Sequence, residues 1–257
     1  MQLDNRESER NSYLKRPYAN QTSAVILAFE ASTKYISVAV YMNGSVLAMQ
    51  KIEAAFGQSV ELVPLAIRTL AGVGIEFTNL SHVAAGCGPG SFTGLRVSLA
   101  AAKGVCLACE LPGLGISGLE ALAFSSSAVL NGLPVLCLAD TRRGSVYAQL
   151  FAADMTPHGA IFEAQMDQLP FLVSESICAE GLMLTGFGGL AATAAFAANG
   201  LVATHVNFGE GKDEVVVDAG MIAMMAAAKI RLGDFPPLIP LYLANPRLGP
   251  EKKQLDV

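Results

Sequence analysis

The sequence is poor in the residues on which most metal and hydrolytic centres depend. It has no tryptophan and only three histidines, and charged residues occupy 15% of its 257 positions. The histidines are isolated, so no H-x-x-x-H or H-E-x-x-H spacing that seats a metal ion occurs. No G-x-S-x-G elbow is present. These absences argue against a histidine-based metalloenzyme and against a serine hydrolase of the elbow type.

Long apolar segments are also absent, and the cysteines do not suggest disulfides. The longest apolar candidate, Ala219 to Ala228, has ten residues, against the ~20 that a membrane-spanning helix needs. The five cysteines are odd in number, and Cys106 and Cys109, although spaced like a redox or zinc pair, fall inside a predicted helix. We expect all five to be small buried hydrophobic residues in a protein of the reducing cytoplasm, without membrane contact.

The first 23 residues differ in composition from the rest of the chain. They carry four basic and three acidic side chains and no apolar segment that could act as a signal peptide. We interpret residues 1–23 as a disordered extension or an expression remnant, with an address signal as the less favoured alternative. The whole chain has a net charge of −5. Since affinity for nucleic acid comes largely from Lys and Arg, we expect any contact with RNA to go through a partner.

A pattern of strands recurs in the two halves of the chain. The apolar run from Val25 to Phe29 ends on Glu30, and the run from Val135 to Ala139 ends on Asp140. Each run is followed by an alternating segment that predicts a second strand, and in the first half Asn43-Gly44 then predicts a hairpin to a third. Both halves therefore begin with three predicted strands and place an acid after the first.

Glycine turns recur as well, at an offset of about 100 residues. Short predicted strands run into Gly86-Cys87-Gly88 and into Gly186-Phe187-Gly188, and each turn precedes a helix of small residues, 95–108 and 190–198. Each half reads β-β-β-α-β-α-β-α. Two kinds of match in the same order indicate an internal duplication.

This order of elements predicts an α/β fold of two tandem ribonuclease-H-like lobes, as in actin, Hsp70 and sugar kinases, each with a mixed sheet and flanking helices. We expect the first lobe at residues 24–133 and the second at residues 134–257. A helix at residues 218–232, which begins at a good N-cap, Asp218, is a candidate to pack back on the first lobe.

Two lobes of this type enclose a cleft in which acids face nucleotide phosphates or a hydrated metal, and a glycine turn approaches the adenosine. The candidates for binding ATP or ADP with Mg²⁺, in this cleft or at a subunit interface, are Glu30, Ser32, Thr33, Asp140, Gly186 and Gly188. Arg142 or Arg143 is a candidate partner for a phosphate oxygen. The alternative, that the two acids merely end strands as solvated or hydrogen-bonded groups, stays equally open.

The most unusual stretch is GCGPGSFTGLR, residues 86–96. No Lys-Ser or Lys-Thr follows its glycines, so it is not a Walker loop. It can still form an anion site, with Ser91 or Thr93 capping a helix whose first N–H groups are free. Gly90 and Gly94 would permit backbone angles that a side chain forbids. The slightly favoured alternative is a tight turn that packs the following helix closely against a neighbour.

Two helices of the first half carry more small or apolar surface than one core contact requires. The helix that follows Ser59 has a wide apolar arc, and the helix at residues 95–108 carries a row of small residues. Excess apolar surface favours a subunit interface, while ordinary core packing is about as well supported for either helix alone.

Four strings resemble the bacterial TsaB (YeaZ) family in order and in sequence: ILAFEAST, GCGPGSFTGLRVSLAAAKG, ISGLEALA and ADTRRGSVYAQLF. The tail Pro240-Leu241-Tyr242-Leu243 fits the same family, so the resemblance covers all but the N-terminal extension. The string GPGSFTGLR is highly specific. The resemblance implies an actin-like fold related to TsaD, a group once labelled glycoprotease or M22-like peptidase; nothing in the sequence supports peptidase chemistry.

The resemblance also implies a function, the synthesis of threonylcarbamoyladenosine beside the anticodon of tRNA. A TsaB-like chain is expected to be a non-catalytic scaffold and activator that binds the TsaD subunit, which carries the metal and transfers the threonylcarbamoyl group. The ATPase TsaE joins the assembly, and the chain alone forms a homodimer. The interface is expected on helices 59–71 and 95–108. The implied partner-binding residues are Glu61, Leu62, Leu65, Gly90, Ser91, Thr93, Arg96, Ser98, Ala101, Ala102 and Val105.

The sequence departs from the family at two positions. Glu30 stands where the family usually has Asp, and Gln58 stands where it often has His. Both departures favour a scaffold, for which no catalytic or metal-binding residues of its own are expected. The alternative function is a stand-alone actin-fold ATPase or phosphotransferase that binds ATP-Mg in the cleft through Glu30 and Asp140.

Overall fold

Two five-stranded mixed sheets form the frame of the computed structural model, which describes residues 24–53, 58–173, 175–206 and 215–243. The extension predicted at residues 1–23 and the side chain of Gln58 lie outside the description. The first sheet contains β1 (Ile26–Glu30), β2 (Tyr35–Met42), β3 (Ser45–Glu53), β4 (His82–Gly88) and β5 (Gly113–Ser117). The second contains β6 (Val135–Asp140), β7 (Val146–Phe151), β8 (Pro157–Ala164), β9 (Leu182–Gly186) and β10 (Ala203–His205).

Both sheets have the same topology. In the first, the order is β3-β2-β1-β4-β5, with antiparallel pairs among the first three strands of the chain and parallel pairs from β1 to β4 and from β4 to β5. In the second, β8-β7-β6-β9-β10 repeats this order and these directions. The predicted α/β class with two mixed sheets is confirmed.

Helices cover the faces of the two sheets. In the described residues they are α1 (Gln58–Ala71), α2 (Phe92–Cys109), α3 (Gly118–Ser126), α4 (Leu169–Leu172), α5 (Glu175–Glu180), α6 (Gly189–Ala198) and α7 (Ala219–Leu232). Helices α1 and α2 pack on one face of the first sheet, and α3 and α7 lie between the sheets. Helices α4 and α6 pack on the far face of the second sheet.

The central strands are apolar along their whole length because both of their faces are covered. In β1, Leu27 and Phe29 point towards α1 and α2, whereas Ile26 and Ala28 point towards the layer between the sheets. All five residues of β1, including Glu30, are buried. This two-sided burial explains why the sequence shows a continuous apolar run there and no alternation.

Helix α7 joins the two halves of the chain. The Asp218 Oδ1 accepts hydrogen bonds from the backbone N–H groups of Gly220 and Met221, at 3.0 and 3.2 Å, and so caps the helix. The Ala219 N–H donates to Ser37 Oγ of β2 at 2.9 Å, and the Lys229 ammonium lies 2.7 Å from Glu120 of α3. The helix belongs to the second half of the sequence but contacts β1 and β2 of the first sheet.

We expected no segment long enough to cross a membrane, but helix α2 has that length. Within the described part of the chain it is the one helix whose length and apolar composition would suffice. Its buried face packs on β4, β1 and β5. An amphipathic core helix passes the same test, so this feature is weak evidence for a membrane span.

A strap, residues 234–243, leaves α7 and crosses the first sheet on its β5 side. The Gly115 N–H of β5 donates to the Pro236 carbonyl at 3.0 Å, and the Leu241 N–H donates to the Cys87 carbonyl of β4 at 2.8 Å. The Phe235 ring stacks on His82 with centroids 6.1 Å apart. The strap ends beside the first turn of α2.

Loss of the α7 cap is expected to weaken the contact between the two halves. The substitution Asp218→Ala leaves two helix N–H groups without their acceptor and should lower the free energy of unfolding by about 1 kcal/mol. Asp218→Asn keeps a capping oxygen and, like the alanine variant, loses the ion pair with Lys51 at 3.5 Å, so it is the matched control and should be the more stable of the two variants. Urea denaturation measures both, and equal losses for the two variants would show that the cap does not contribute.

Candidate functional site

A cleft opens between the two halves of the molecule, where β1 and β6 end. It is lined by Ser32, Thr33, Lys34, Pro89, Gly90, Gly118, Leu138, Ala139, Asp140, Arg142, Phe187, Val215, Val216 and Val217. The structure thus brings three predicted cofactor-binding residues, Ser32, Thr33 and Asp140, to one cleft. Most of the remaining residues that line the cleft are apolar.

Glu30 does not line this cleft, contrary to the expectation. Its side chain turns onto Gly86 of the neighbouring strand β4, where a Cβ atom at Gly86 would overlap the carboxylate. Residue 30 is 1% exposed; its Oε1 accepts from the Ser32 N–H, and its Oε2 has no hydrogen-bond partner among the described residues. Burial raises the pKa of Glu30, although the hydrogen bonds from Ser32 oppose the shift. The carboxyl of Glu30 therefore does not face the cleft in which a phosphate or metal ligand was expected.

Asp140 stays at the cleft but is engaged by its own turn. Its Oδ1 accepts from the Arg142 N–H at 2.7 Å, and its Oδ2 lies 3.6 Å from Arg142 Nε. Arg142 takes a left-handed backbone conformation, with φ of 60°, which brings its guanidinium back towards the carboxylate. The second-half acid thus faces a cation supplied by this chain.

The two candidate arginines separate in the structure. Arg142 lines the cleft, whereas the Arg143 guanidinium donates to Tyr147 Oη at 3.0 Å and to Glu163 Oε2 at 2.9 Å, away from the cleft lining. Ser145 Oγ also donates to Glu163. Arg143 therefore anchors the β6–β7 turn to β8, and Arg142 is the one that can meet a ligand.

The second glycine turn shapes the backbone and does not cradle the cleft. Gly186 and Gly188 have φ of 101° and 66°, and a Cβ at Gly186 would overlap the Leu138 carbonyl of β6. Neither glycine lines the cleft, where Phe187 stands between them. Their contact with an adenosine stays a prediction; the structure shows that Gly186 is needed for the close packing of β9 on β6.

The glycine-rich stretch of the first half also allows two segments of backbone to pack closely. A Cβ at Gly94 would overlap the Ala31 carbonyl, and one at Gly90 would overlap Ser32. Neither residue has a positive φ, so these glycines are required for space and not, as expected, for backbone angles. Ser91 caps α2, since its Oγ accepts from the Gly94 N–H at 3.3 Å. The helix begins at Phe92, three residues before the predicted start.

A groove runs along the outer surface between α1 and α2. We call it the α1–α2 groove; it is lined by Val63, Phe92, Thr93, Arg96, Val97, Ala100 and Ala101. Val63 and Ile67 of α1 are 43% and 52% exposed. Apolar side chains with this exposure, clustered beside a groove, are typical of a surface that meets another protein.

The structure divides the predicted partner-binding residues into two groups. Those that remain exposed or half-buried are Glu61, Gly90, Ser91, Thr93, Arg96 and Ala101. Those that are buried in the core are Leu62, Leu65, Ser98, Ala102 and Val105. The prediction is wrong for this second group, because these side chains face the sheet below α1 and α2 and cannot reach a partner.

Sequence reasoning missed the apolar residues that these helices expose, above all Val63 and Phe92 in the groove and Ile67 outside its lining. The helical period contains the signal. In α1 the buried stripe runs through Leu62, Leu65 and Leu70 at helical spacing, so Val63 and Ile67 lie off the stripe. That these two helices form an interface stays a prediction, and the structure changes which of their residues are exposed enough to take part in it.

Histidine and cysteine side chains do not build a reactive centre in the described part of the chain. No group of three His, Cys, Asp or Glu residues there lies close enough to hold a metal ion. Burial lowers the pKa of His82 to about 4, so its ring is neutral at pH 7. Burial raises the pKa of Cys87 to about 12 and that of Cys106 to about 11, which keeps both thiols protonated. Cys87, Cys106 and Cys109 are half-buried, where full burial was expected.

Comparison with known proteins gives a matching family model and several sequence relatives. The profile of the family described as TsaD, tRNA N6-adenosine threonylcarbamoyltransferase, matches residues 53–169. The tRNA threonylcarbamoyladenosine biosynthesis protein TsaB of Escherichia coli K12 is 34% identical over 122 residues, which is 48% of this chain and 52% of that protein. TsaB of Bacillus subtilis is 29% identical over 126 residues, 49% of this chain and 54% of that protein. The chain spans about half the length of the curated relatives it matches.

Two solved structures extend the similarity over most of the fold. A Pseudomonas aeruginosa protein described as similar to peptidase YeaZ has a TM-score of 0.70 at 20% identity, covering 86% of this chain and all of that one. YeaZ from the same organism has a TM-score of 0.67 at 20% identity, with the same coverage. At this sequence identity, the two structures show that the chain shares their fold.

The buried Glu30 carboxyl is expected to make stability depend on pH. Because its pKa is higher in the folded than in the unfolded state, its contribution is complete below about pH 4.5 and is lost as the pH rises through the folded-state pKa. Glu30→Gln mimics the protonated acid and does not undergo this loss. Urea denaturation should show the Gln variant gaining stability relative to the parent as the pH rises.

Glu53→Gln, an exposed carboxyl at the end of β3, is the matched control for the pH series. A difference between the Glu30→Gln variant and the parent that is constant with pH, or that shrinks as the pH rises, would contradict the burial of this carboxyl.

Proposed function

We propose, because the chain belongs to the TsaB (YeaZ) family of the actin-like superfamily, that it is a non-catalytic scaffold and activator subunit in the synthesis of threonylcarbamoyladenosine in tRNA. In this role the chain does not transfer the threonylcarbamoyl group. It binds the TsaD-like subunit that does so, in the cytoplasm, and contributes by holding that subunit in an active arrangement.

The α1–α2 groove is the observation that carries this proposal. It exposes Val63, Phe92, Val97 and Ala100 on two adjacent helices whose other faces are anchored in the core. A rigid, apolar helix pair at the surface suits a second helix pair, since small residues such as Ala100 allow close approach. The match to the TsaD family covers residues 53–169, which include both helices. A related subunit can therefore offer an equivalent face.

The composition of the cleft also supports a scaffold role, because it offers few groups that could hold a nucleotide and its metal ion. Glu30 is buried against Gly86, and Asp140 faces Arg142, so neither acid is placed as an unpaired ligand for hydrated Mg²⁺. The apolar wall formed by Phe187 and Val215–Val217 leaves few polar contacts for a nucleotide. A chain with a docking face and without a paired-acid centre suits a scaffold better than an ATPase.

The groove also accounts for the proposed set of partners. When the TsaD-like subunit is absent, a second copy of this chain occupies the same face in a two-fold homodimer, so the two complexes compete. A TsaE-like ATPase joins the assembly on another surface. With a net charge of −5, the chain leaves most of the contact with tRNA to its partners.

The repeated topology suggests how the molecule is divided. We propose that residues 24–133 and 134–257 are the two ribonuclease-H-like lobes of an actin-like fold, with α7 packing on the first lobe. The proposal is supported by the shared strand order of the two sheets and by the position of the cleft between β1 and β6.

A bulky charge in the groove should abolish binding of the TsaD-like subunit. Ala100 lines the groove and is exposed, so Ala100→Arg places a cation in the apolar contact without disturbing the core. We expect this variant to lose co-elution with the TsaD-like subunit of the same organism in gel filtration. An unpaired charge buried in an apolar contact costs about 3–5 kcal/mol, which weakens binding by at least about 100-fold.

Ala194→Arg, an exposed alanine on α6 of the second half, is the matched control and should co-elute like the parent. If Ala100→Arg co-elutes as well, the proposed face is wrong. If the parent chain does not co-elute, with or without nucleotide and the TsaE-like ATPase, the scaffold role is wrong.

A stand-alone ATPase or phosphotransferase remains a second candidate, because Ser32, Thr33, Lys34 and Arg142 converge on the cleft with Asp140. That function requires ATP-Mg to bind the isolated chain and Asp140→Asn to weaken the binding. We expect isothermal titration calorimetry to detect no ATP binding to either protein. Heat from the parent that is lost in Asp140→Asn would favour the ATPase over the scaffold.

A further inference from the structure

The strap, residues 234–243, is seated in a recess that the first sheet provides for it. A Cβ at Gly113 would overlap the Leu238 side chain, and a Cβ at Gly115 would overlap the Pro237 carbonyl. Both glycines lie in β5, so this strand has a flat surface where the strap crosses. Any side chain at these two positions would lift the strap from the sheet.

The strap is also rigid and is fastened at both ends. Phe235 stacks on His82 at one end, and the Leu241 N–H donates to the Cys87 carbonyl at the other. Three of its ten residues are proline, which restricts the backbone further. These contacts and prolines restrict the backbone that leads into Tyr242, the residue after Leu241.

Tyr242 lies against two residues that line the α1–α2 groove. Its ring centroid is 5.2 Å from that of Phe92, and its hydroxyl accepts from Arg96 Nε at 3.2 Å. The Arg96 guanidinium carbon lies 3.8 Å from the centroid of the Phe92 ring. The three side chains form one contiguous cluster, which we call the aromatic corner. Tyr242 and Phe92 are 45% and 36% exposed, so the corner presents apolar surface to solvent.

Within the described residues, no ion pair balances the charge of Arg96. The Arg96 Nε donates to the Tyr242 hydroxyl, and the face of the guanidinium packs on the Phe92 ring. The guanidinium also carries terminal N–H groups in a planar fork that suits a carboxylate. An apolar corner with such a cation at its edge fits a partner surface that is apolar and bears one acid.

We propose that the aromatic corner is a binding hot spot at the end of the docking face, and that the TsaD-like partner places there an apolar helix surface with a carboxylate opposite Arg96. The inference rests on the proposed function and extends its interface from two helices to the strap. Tyr and Arg are enriched at hot spots, and a pre-organised aromatic residue loses little entropy on binding.

The test compares dissociation constants for the TsaD-like subunit, measured by isothermal titration calorimetry on the full chain. Tyr242→Ala should raise the dissociation constant by about 30-fold, the effect of truncating a hot-spot residue. Tyr242→Phe keeps the ring and loses only the acceptor for Arg96, so a rise of about threefold is expected. Phe171→Ala removes an exposed aromatic residue of α4 and is the matched control, with the affinity of the parent.

A salt series tests the carboxylate separately. Arg96→Met keeps the unbranched stem and removes the charge, so its affinity should be weaker than that of the parent and less sensitive to salt. Equal salt dependence for Arg96→Met and the parent would overturn the assignment of a partner carboxylate.

The outcomes distinguish this inference from the proposed function. Parent-like affinity for Tyr242→Ala, together with loss of binding for Ala100→Arg, overturns the hot spot and leaves the docking face in place. Parent-like affinity for both variants overturns the face itself. Thermal unfolding of each variant identifies general destabilisation, and the Tyr242→Phe variant, which retains the packed ring, keeps the test decisive if Tyr242→Ala unfolds.

Discussion

The close contact between the end of β1 and three glycines is the constraint on which the rest of the structure depends. Residues 30, 31 and 32 occupy the spaces that side chains at Gly86, Gly94 and Gly90 would need. The contact brings the first turn of α2 directly against β1, and the Ser91 N–H donates to the Ser32 carbonyl at 2.8 Å. The glycine-rich stretch, which suggests a phosphate loop, is filled by the protein's own backbone and the Glu30 carboxyl.

Two functional consequences follow from this contact. It fixes the first turn of α2 against β1, and this turn carries Phe92, Thr93 and Arg96 of the α1–α2 groove. It also keeps the Glu30 carboxyl against Gly86 and outside the cleft lining. The packing that positions the proposed docking face therefore also leaves Asp140 as the one predicted acid in the lining of the cleft.

The sequence predicted the elements well and the orientation of side chains less well. The order of strands followed from apolar runs, the Asn43-Gly44 hairpin and the repeated glycine turns, which are local signals. The burial of Leu62 and Ser98 was not predicted, because it depends on which helical face meets the sheet. The strap was missed for a physical reason: Gly113 and Gly115 read as ordinary strand glycines until the segment that covers them, more than 120 residues away, is placed.

The central claim is that this chain functions by binding a partner through α1 and α2, and not by binding a ligand in the cleft. Hydrogen–deuterium exchange on the full chain, alone and mixed with the TsaD-like subunit, tests it most directly. The account predicts slower exchange in peptides from α1, α2 and the strap, with peptides from β6 and its turn to β7 unchanged. Protection of the β6–β7 turn at the cleft, with α1 and α2 exchanging as in the free chain, would contradict it.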